Sequence, residues 1–216
     1  MSVAVVDSAR VIKMLECAAK TMSENRFVLI ELDSVIGDGD LGITMEKGFF
    51  AAAETARELS SEAPCSIFMK AGMAIAKSAP STMGTLMATG LMRGGKAVTG
   101  KMELSASDMK VFFAAFLQGV MERGKTKPGE KTLVDVLIPT IEAMNAFSGD
   151  DVALIWKQAC EGAKRGIEVA KNLQAQHGKA AVFREKTIGL EDPGGRAVYL
   201  LIKSFAEACT GELCKS

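Results

Sequence analysis

Three aspartates stand within eight residues of one another, and a glycine precedes each of the last two. The segment reads Asp-Ser-Val-Ile-Gly-Asp-Gly-Asp-Leu-Gly from Asp33 to Gly42. Carboxylates this close raise one another's pKa unless a cation lies among them. Oxygen ligands favour Mg²⁺ or Ca²⁺ over zinc, and Mg²⁺ commonly leaves its other positions to water and substrate phosphates. We therefore interpret Asp33, Asp38 and Asp40 as candidate metal ligands that act on a phosphate ester.

A solvated acidic turn at a helix end is the alternative interpretation, because Asp and Gly are common in caps and turns. The apolar, helix-like flanks at residues 27–33 and 43–51 favour a segment that joins two packed helices. An EF-hand is excluded, since a calcium loop that begins at Asp33 would have Val35 and Thr44 at ligand positions.

Three other loops combine glycine, small polar residues and charge. Residues 78–85 open a helix whose free N–H groups could attract an anion, although Ser81 alone is typical of an N-cap. Residues 124–135 form a basic glycine loop, but they lack the Gly-Lys-Thr adjacency and the preceding strand of a P-loop. Residues 191–195 are typical of a turn that begins the last helix. Because these loops recur between apolar helices, we expect one rim of a helical barrel to gather all four.

The composition of the 216 residues limits the classes of partner. No linker rich in Pro, Gly or Ser divides the chain, so we expect one domain over 1–216. Acidic and basic residues balance at 26 each, and the basic ones are spread out, which argues against nucleic acid or membrane as a partner. No signal peptide or membrane span is visible, and we expect a cytoplasmic protein.

Thiol and imidazole groups exclude several enzyme classes. The five cysteines form no Cys-x-x-Cys pair and lie mostly among apolar residues, so we interpret them as reduced core thiols. His177 is the only histidine, which argues against Ser-His-Asp hydrolases and His-rich metal sites. Its polar neighbours indicate an exposed loop, and we interpret it as an incidental surface residue.

The elements that must position these loops are helical. Apolar residues recur at spacings of three and four, strand alternation is scarce, and 13 methionines with many alanines predict a core of small residues and thioethers. Residues 176–192 form the longest irregular stretch. About eight helices are predicted near 7–22, 25–37, 41–60, 64–78, 81–98, 106–124, 131–148 and 151–174, with a further one from about 193 to 212.

Three motifs, in this order and separation, give the chain a family resemblance over nearly its whole length. They are Leu32-Asp33-x-x-Ile36-Gly37-Asp38-Gly39-Asp40-x-Gly42, Arg123-Gly124-Lys125-x-x-Pro128-Gly129-x-Lys131-Thr132-x-x-Asp135 and Ile188-Gly189-x-x-Asp192-Pro193-Gly194. The chain resembles the nucleotide-binding L subunits of dihydroxyacetone kinase, the DhaL or Dak2 type, also found as the C-terminal domain of single-chain dihydroxyacetone kinases.

The resemblance implies an all-α, antiparallel eight-helix barrel with ADP or ATP and two Mg²⁺ ions at one end. Asp33, Asp38 and Asp40 would ligate the two ions. No residue need act as an acid or base, since metals and helix N-termini would neutralise the transferring phosphoryl group. The residues that the resemblance assigns to the nucleotide are Leu41, Gly42, Thr44, Ser78, Ala79, Gly124, Leu133, Lys179, Asp192, Pro193 and Gly194.

The function implied is that of a Mg²⁺-dependent phosphotransferase subunit. It would pass the γ-phosphoryl group to dihydroxyacetone, or to a related small ketone or polyol, on a separate K-type subunit. The phosphoryl donor stays open between ATP and a phosphocarrier protein of the phosphoenolpyruvate system. The sequence also leaves open whether the chain forms homo-oligomers.

Departures from the family pattern support an alternative function. Leu41 stands where the family commonly has His or Cys, and Leu190 replaces a His. Residues 77–80 read Lys-Ser-Ala-Pro where Gly-Ala-Ser-Gly is usual, and Glu130 stands in place of Asp. Lost side-chain donors should weaken the hold on phosphate. The alternative is a nucleotide-binding regulatory module of the same fold whose turnover is weakened.

Overall fold

Nine α-helices account for most of the chain described by the computed structural model, residues 5–211. The all-α prediction is confirmed, and the β-type pairing in this range is one bridge between Val6 and Leu104. None of these helices is both long and apolar enough to cross a membrane. They are α1 (Ser8–Glu24), α2 (Arg26–Ile36), α3 (Leu41–Arg57), α4 (Pro64–Ser78), α5 (Thr82–Ala97), α6 (Ala106–Gly124), α7 (Val134–Ala146), α8 (Val152–Lys171) and α9 (Pro193–Thr210), with a 3₁₀ segment (Lys179–Thr187) before the last.

Eight of these helices form a closed ring. α1 packs on α3, each helix from α3 to α9 packs on the next, and α9 returns to α1. The predicted eight-helix barrel is therefore confirmed. α2 lies outside the ring, mainly against α3, and its C-terminal end leads directly into the acidic turn.

Polar side chains at helix starts explain where several helices begin. The predicted N-cap Ser81 accepts the N–H of Gly84 at 3.0 Å, and Ser105 forms a capping box with Asp108. The start of α7 differs from the expected residue 131 and lies at Val134. Lys131 has a φ of +54°, in the left-handed region, so the helix cannot extend back through it.

An aromatic cluster fills the centre of the barrel. The expected methionines and alanines are buried there, but the largest side chains are phenylalanines and the single Trp156. The Trp156 ring meets Phe113 and Phe205 edge-on, with centroids 5.6 and 5.8 Å apart. Such edge-to-face pairs stabilise a core beyond the area they bury. The cluster joins α6, α8 and α9.

Glycines on α5 allow α6 to approach closely. A Cβ at Gly90 would lie 2.5 Å from ring carbons of Phe116, and one at Gly94 would lie 2.8 Å from the Phe112 ring. Both distances are far shorter than ordinary van der Waals contact. These two positions therefore require glycine if the aromatic rings are to sit against the α5 backbone.

The cysteines fit their interpretation as core thiols. Cys65, Cys160 and Cys209 are buried and Cys17 is half-buried, and none of these four forms a disulfide within residues 5–211. Burial raises the pKa of the Cys209 thiol to about 12, which keeps it protonated at neutral pH. Cys214 lies outside the described residues.

Candidate functional site

A cavity of about 530 Å³ opens where the N-termini of α3, α5, α7 and α9 meet. Its walls come from the acidic turn, residues 80–83, residues 131–133, residues 177–180 and residues 192–194. The expectation that one rim gathers four loops is confirmed. Helix N-termini carry partial positive charge and unsatisfied N–H groups, so this rim favours an anionic ligand.

The acidic turn is held together by the first of its aspartates. One carboxylate oxygen of Asp33 accepts the N–H groups of Asp40 at 3.0 Å and Leu41 at 3.2 Å. The Asp33 carbonyl accepts the N–H of Gly37 at 2.6 Å, and Gly39 takes a φ of +72°. The turn folds back on α2, and the third aspartate thus comes close to the first.

The three carboxylates form one cluster. An oxygen from each of Asp33, Asp38 and Asp40 lies within 4.8 Å of the other two. Desolvation, followed by the charges of Asp38 and Asp33, raises the pKa of Asp40. The Lys179 ammonium contacts Asp38, and this hydrogen bond lowers the pKa of that carboxyl. A set of hard oxygen donors that already attracts a cation fits Mg²⁺.

A buried lysine anchors the basic glycine loop. Lys131 is only 2% exposed, and its ammonium donates to the carbonyls of Ala170, Lys171 and Leu190 at 2.8, 3.2 and 2.6 Å. Two of these carbonyls end α8, where the helix dipole favours a cation. Burial lowers the pKa of the lysine. This contact joins the loop to α8 and to the segment before α9.

A buried aspartate organises the same loop from within. Asp135, in the first turn of α7, accepts the N–H of Gly129 at 2.6 Å and that of Thr132 at 2.9 Å. Because one carboxylate accepts two loop amides, it fixes the shape of the loop. Leu133 is thereby held at the cavity wall.

Asp192 combines a capping role with an unusual titration. It accepts the N–H of Gly195 at 2.5 Å, which confirms the predicted N-cap of α9, and Pro193 follows at the first helical position. The residue lines the cavity and is half-buried as a whole. Desolvation of its carboxyl group nevertheless raises the pKa of Asp192 to about 7.

Asp192→Asn should change how stability depends on pH. The folded carboxyl binds a proton up to about pH 7, whereas its ordinary pKa is 3.8, so wild-type stability should fall as pH rises through this interval. Asn keeps the N-cap and does not titrate. Urea unfolding at several pH values should show the wild type losing stability relative to the variant between pH 4 and 7. Parallel curves would contradict the assignment.

The exposed loop predicted around His177 is confirmed, since Gln176, Gly178 and Lys179 are exposed, but the histidine itself is not incidental. His177 lines the cavity, and its Nε2 lies 2.5 Å from a carboxylate oxygen of Glu130. The two residues are 47 positions apart in the chain. No local pattern around His177 could have indicated this partner.

The residues implied by the resemblance divide into two groups. All three aspartates, Leu41, Leu133, Lys179 and residues 192–194 line the cavity. The others are not among its lining residues: Gly42 packs against the Arg26 carbonyl, Thr44 and Ala79 are buried, Ser78 ends α4, and Gly124 packs against Leu86. Lining residues that the sequence did not assign are Ile36, Gly37, Pro80, Ser81, Thr82, Met83, Leu86, Lys131, Thr132, His177, Gly178 and Ala180.

A family model described as the DAK2 domain matches residues 35–207. Among curated proteins, the chain is 29% identical to the ADP-binding subunit DhaL of the PEP-dependent dihydroxyacetone kinase of Escherichia coli strain K12, over 83% of this chain and 87% of that protein. It is 30% identical to the L-erythrulose kinase of Pectobacterium atrosepticum, over 88% of this chain and 34% of the kinase.

A solved structure has a similar fold. The dihydroxyacetone kinase from C. freundii, in complex with AMP-PNP and Mg²⁺, superposes with a TM-score of 0.67 at 21% identity. The match covers 92% of this chain and 34% of the kinase, so the chain spans about a third of that protein's length. At this identity the likeness shows the fold alone.

Proposed function

The chain belongs to the DAK2 domain family, and on that premise we propose that it is the nucleotide-holding subunit of a Mg²⁺-dependent phosphotransferase. ADP or ATP would occupy the cavity at the rim of the barrel. The observation that carries the proposal is the cluster of Asp33, Asp38 and Asp40 within 4.8 Å at the edge of that cavity. A carboxylate trio beside four helix N-termini suits a divalent cation that accompanies a diphosphate.

Each part of the cavity has a role in this proposal. The three aspartates hold two Mg²⁺ ions, which supply charge neutralisation for the phosphates when bound. The start of α5 offers the N–H groups of Thr82 and Met83 to the phosphate oxygens, since Ser81 accepts those of Gly84, on its side chain, and Thr85, on its carbonyl. Leu133 and the neighbouring side chains of Met83 and Leu86 provide an apolar wall for the adenine.

The acceptor is proposed to be held on a separate K-type subunit. His177 is engaged by Glu130, and no other imidazole exists in the chain to capture or deprotonate a ketose. The relatives' names support dihydroxyacetone or a tetrulose such as erythrulose as the acceptor. The names PEP-dependent and PTS-dependent support a phosphocarrier protein that recharges a retained nucleotide.

Isothermal titration tests the nucleotide site. We expect ADP to bind in the presence of Mg²⁺ and binding to disappear when EDTA removes the cation, because the carboxylate cluster repels a bare diphosphate. AMP, which lacks the β-phosphate, should bind much more weakly. Equal ADP binding with and without Mg²⁺ would rule out the metal-linked site.

A regulatory module with weak turnover is the second candidate. Its basis is that apolar residues occupy two positions at the phosphate end: Leu41 lines the cavity next to the carboxylates, and Pro80 lines it without an N–H group to donate. Mixing the protein with a purified K-type subunit, dihydroxyacetone and either ATP or a phosphorylated carrier separates the two. Triose phosphate formation supports the kinase subunit, and its absence despite Mg²⁺-dependent ADP binding supports the module.

A further inference from the structure

Two loops that contribute to the cavity wall are joined by the His177 and Glu130 side chains. The Nε2 atom lies 2.5 Å from the carboxylate oxygen, and the side chains are 35% and 20% exposed. The backbone adds a second link, since the N–H of Gln176 donates to the Glu130 carbonyl at 3.2 Å. Residues 176 and 177, which precede the 3₁₀ segment, are thus both held to the basic loop at Glu130.

Glu130 is a fixed partner rather than a mobile surface carboxylate. The oxygen that meets His177 also accepts the N–H of Lys127 at 2.6 Å and the hydroxyl of Thr126 at 3.3 Å. The next residue, Lys131, is buried and bonded to three carbonyls. A carboxylate held from both sides can orient the imidazole that binds it.

The residues after His177 carry this constraint to the acidic turn. Gly178 takes a φ of +62° and turns the chain, and Lys179 follows with its ammonium on Asp38. Only one residue separates the fastened imidazole from the residue that carries the cation. The far end of the segment is also tied, because the Thr187 hydroxyl accepts the N–H of Ala175 at 2.9 Å.

We propose that the His177–Glu130 contact is a positioning device that fixes Lys179 over the metal and phosphate end of the cavity. This inference rests on the proposed function, since it assigns Lys179 to the phosphates of a bound nucleotide. In this proposal His177 acts through Lys179, because its own Nε2 is engaged by Glu130. If the backbone of Lys179 is fixed before the ligand binds, binding does not have to bear the entropy cost of ordering that backbone.

A double-mutant cycle on Mg²⁺-ADP affinity tests the inference. We expect His177→Ala to weaken binding about tenfold, the effect of losing a hydrogen bond to a charged group. In a Lys179→Ala background the same change should have almost no further effect, because the residue that it positions is gone. His177→Gln, whose amide can donate to Glu130, should restore most of the affinity. A merely structural role would give the same loss in both backgrounds.

Controls separate failure of this inference from failure of the proposed function. Glu130→Gln keeps a hydrogen-bond acceptor but removes the charge. We expect it to lose part of the Mg²⁺-ADP affinity, and to have almost no effect in a Lys179→Ala background. This variant replaces His177→Ala in the cycle if His177→Ala does not fold. Arg93→Ala breaks the exposed pair with Glu122 outside the cavity and should change nothing. If the wild type binds Mg²⁺-ADP and His177→Ala binds equally well, the inference is wrong. If the wild type itself does not bind, the proposed function fails.

Discussion

Asp40→Asn is expected to abolish Mg²⁺-dependent nucleotide binding and at the same time to make the metal-free protein more stable. Desolvation and the charges of Asp38 and Asp33 raise the pKa of Asp40. A carboxyl whose pKa is raised in the folded state destabilises that state once pH exceeds its ordinary pKa. Asn removes this penalty at neutral pH, but it also removes an anionic metal ligand.

The two effects are measured separately. Affinity for Mg²⁺-ADP should fall at least about 100-fold by titration calorimetry, since even changes around a metal's ligands commonly cost 10- to 100-fold. The thermal midpoint in EDTA should rise slightly. Asp38→Asn should also abolish binding, but it should not raise the thermal midpoint, because it removes the ion-pair partner of Lys179. Asp150→Asn, on an exposed loop, should change neither the affinity nor the thermal midpoint. A lower thermal midpoint of Asp40→Asn in EDTA would contradict the expected gain in stability.

Phe113→Ala should cost about 3 to 5 kcal/mol of folding free energy, the usual range for removing a fully buried aromatic ring. The Phe113 side chain is completely buried and packs against Phe112, Phe116 and Trp156. Alanine would leave a cavity between α6 and α8 that rigid neighbouring rings cannot fill. Urea unfolding followed by the fluorescence of Trp156, the single tryptophan, measures the loss directly.

The same substitution on the surface provides the control. Phe27 is 73% exposed, so Phe27→Ala should change stability by no more than about 0.5 kcal/mol. Because both variants lose the same atoms, the difference between them isolates burial. Equal costs at the two positions would show that the aromatic cluster is not the main core.

Features encoded over a short span could be predicted from the sequence. The acidic turn, the caps at Ser81 and Asp192, and most helices depend on residues no more than eight positions apart, and the structure bears these out. The position of the four loops at one rim could also be predicted, because these loops recur between the helices of an antiparallel set. Assignment of the metal and nucleotide to this rim remains a prediction.

Features that join distant residues could not be predicted. Lys131 is one of several lysines in a basic loop, and only the fold brings it to carbonyls 39 to 59 positions away. Glu130 and His177 meet for the same reason. The few aromatic residues gave no sign that they would form one cluster, since their contacts cross between helices. The sequence also could not predict that α2 lies outside the ring, because this position depends on tertiary packing.

Closure of the barrel by α1 and α9 has a consequence for folding kinetics. The Arg10 guanidinium donates to the Ala208 carbonyl at 2.5 Å, across 198 positions of the chain, whereas most other seams join consecutive helices. Neighbouring helices can dock early because short loops close at little entropic cost. The final seam must await the synthesis of α9, so a nascent chain on the ribosome would expose the apolar flank of α1 until α9 emerges.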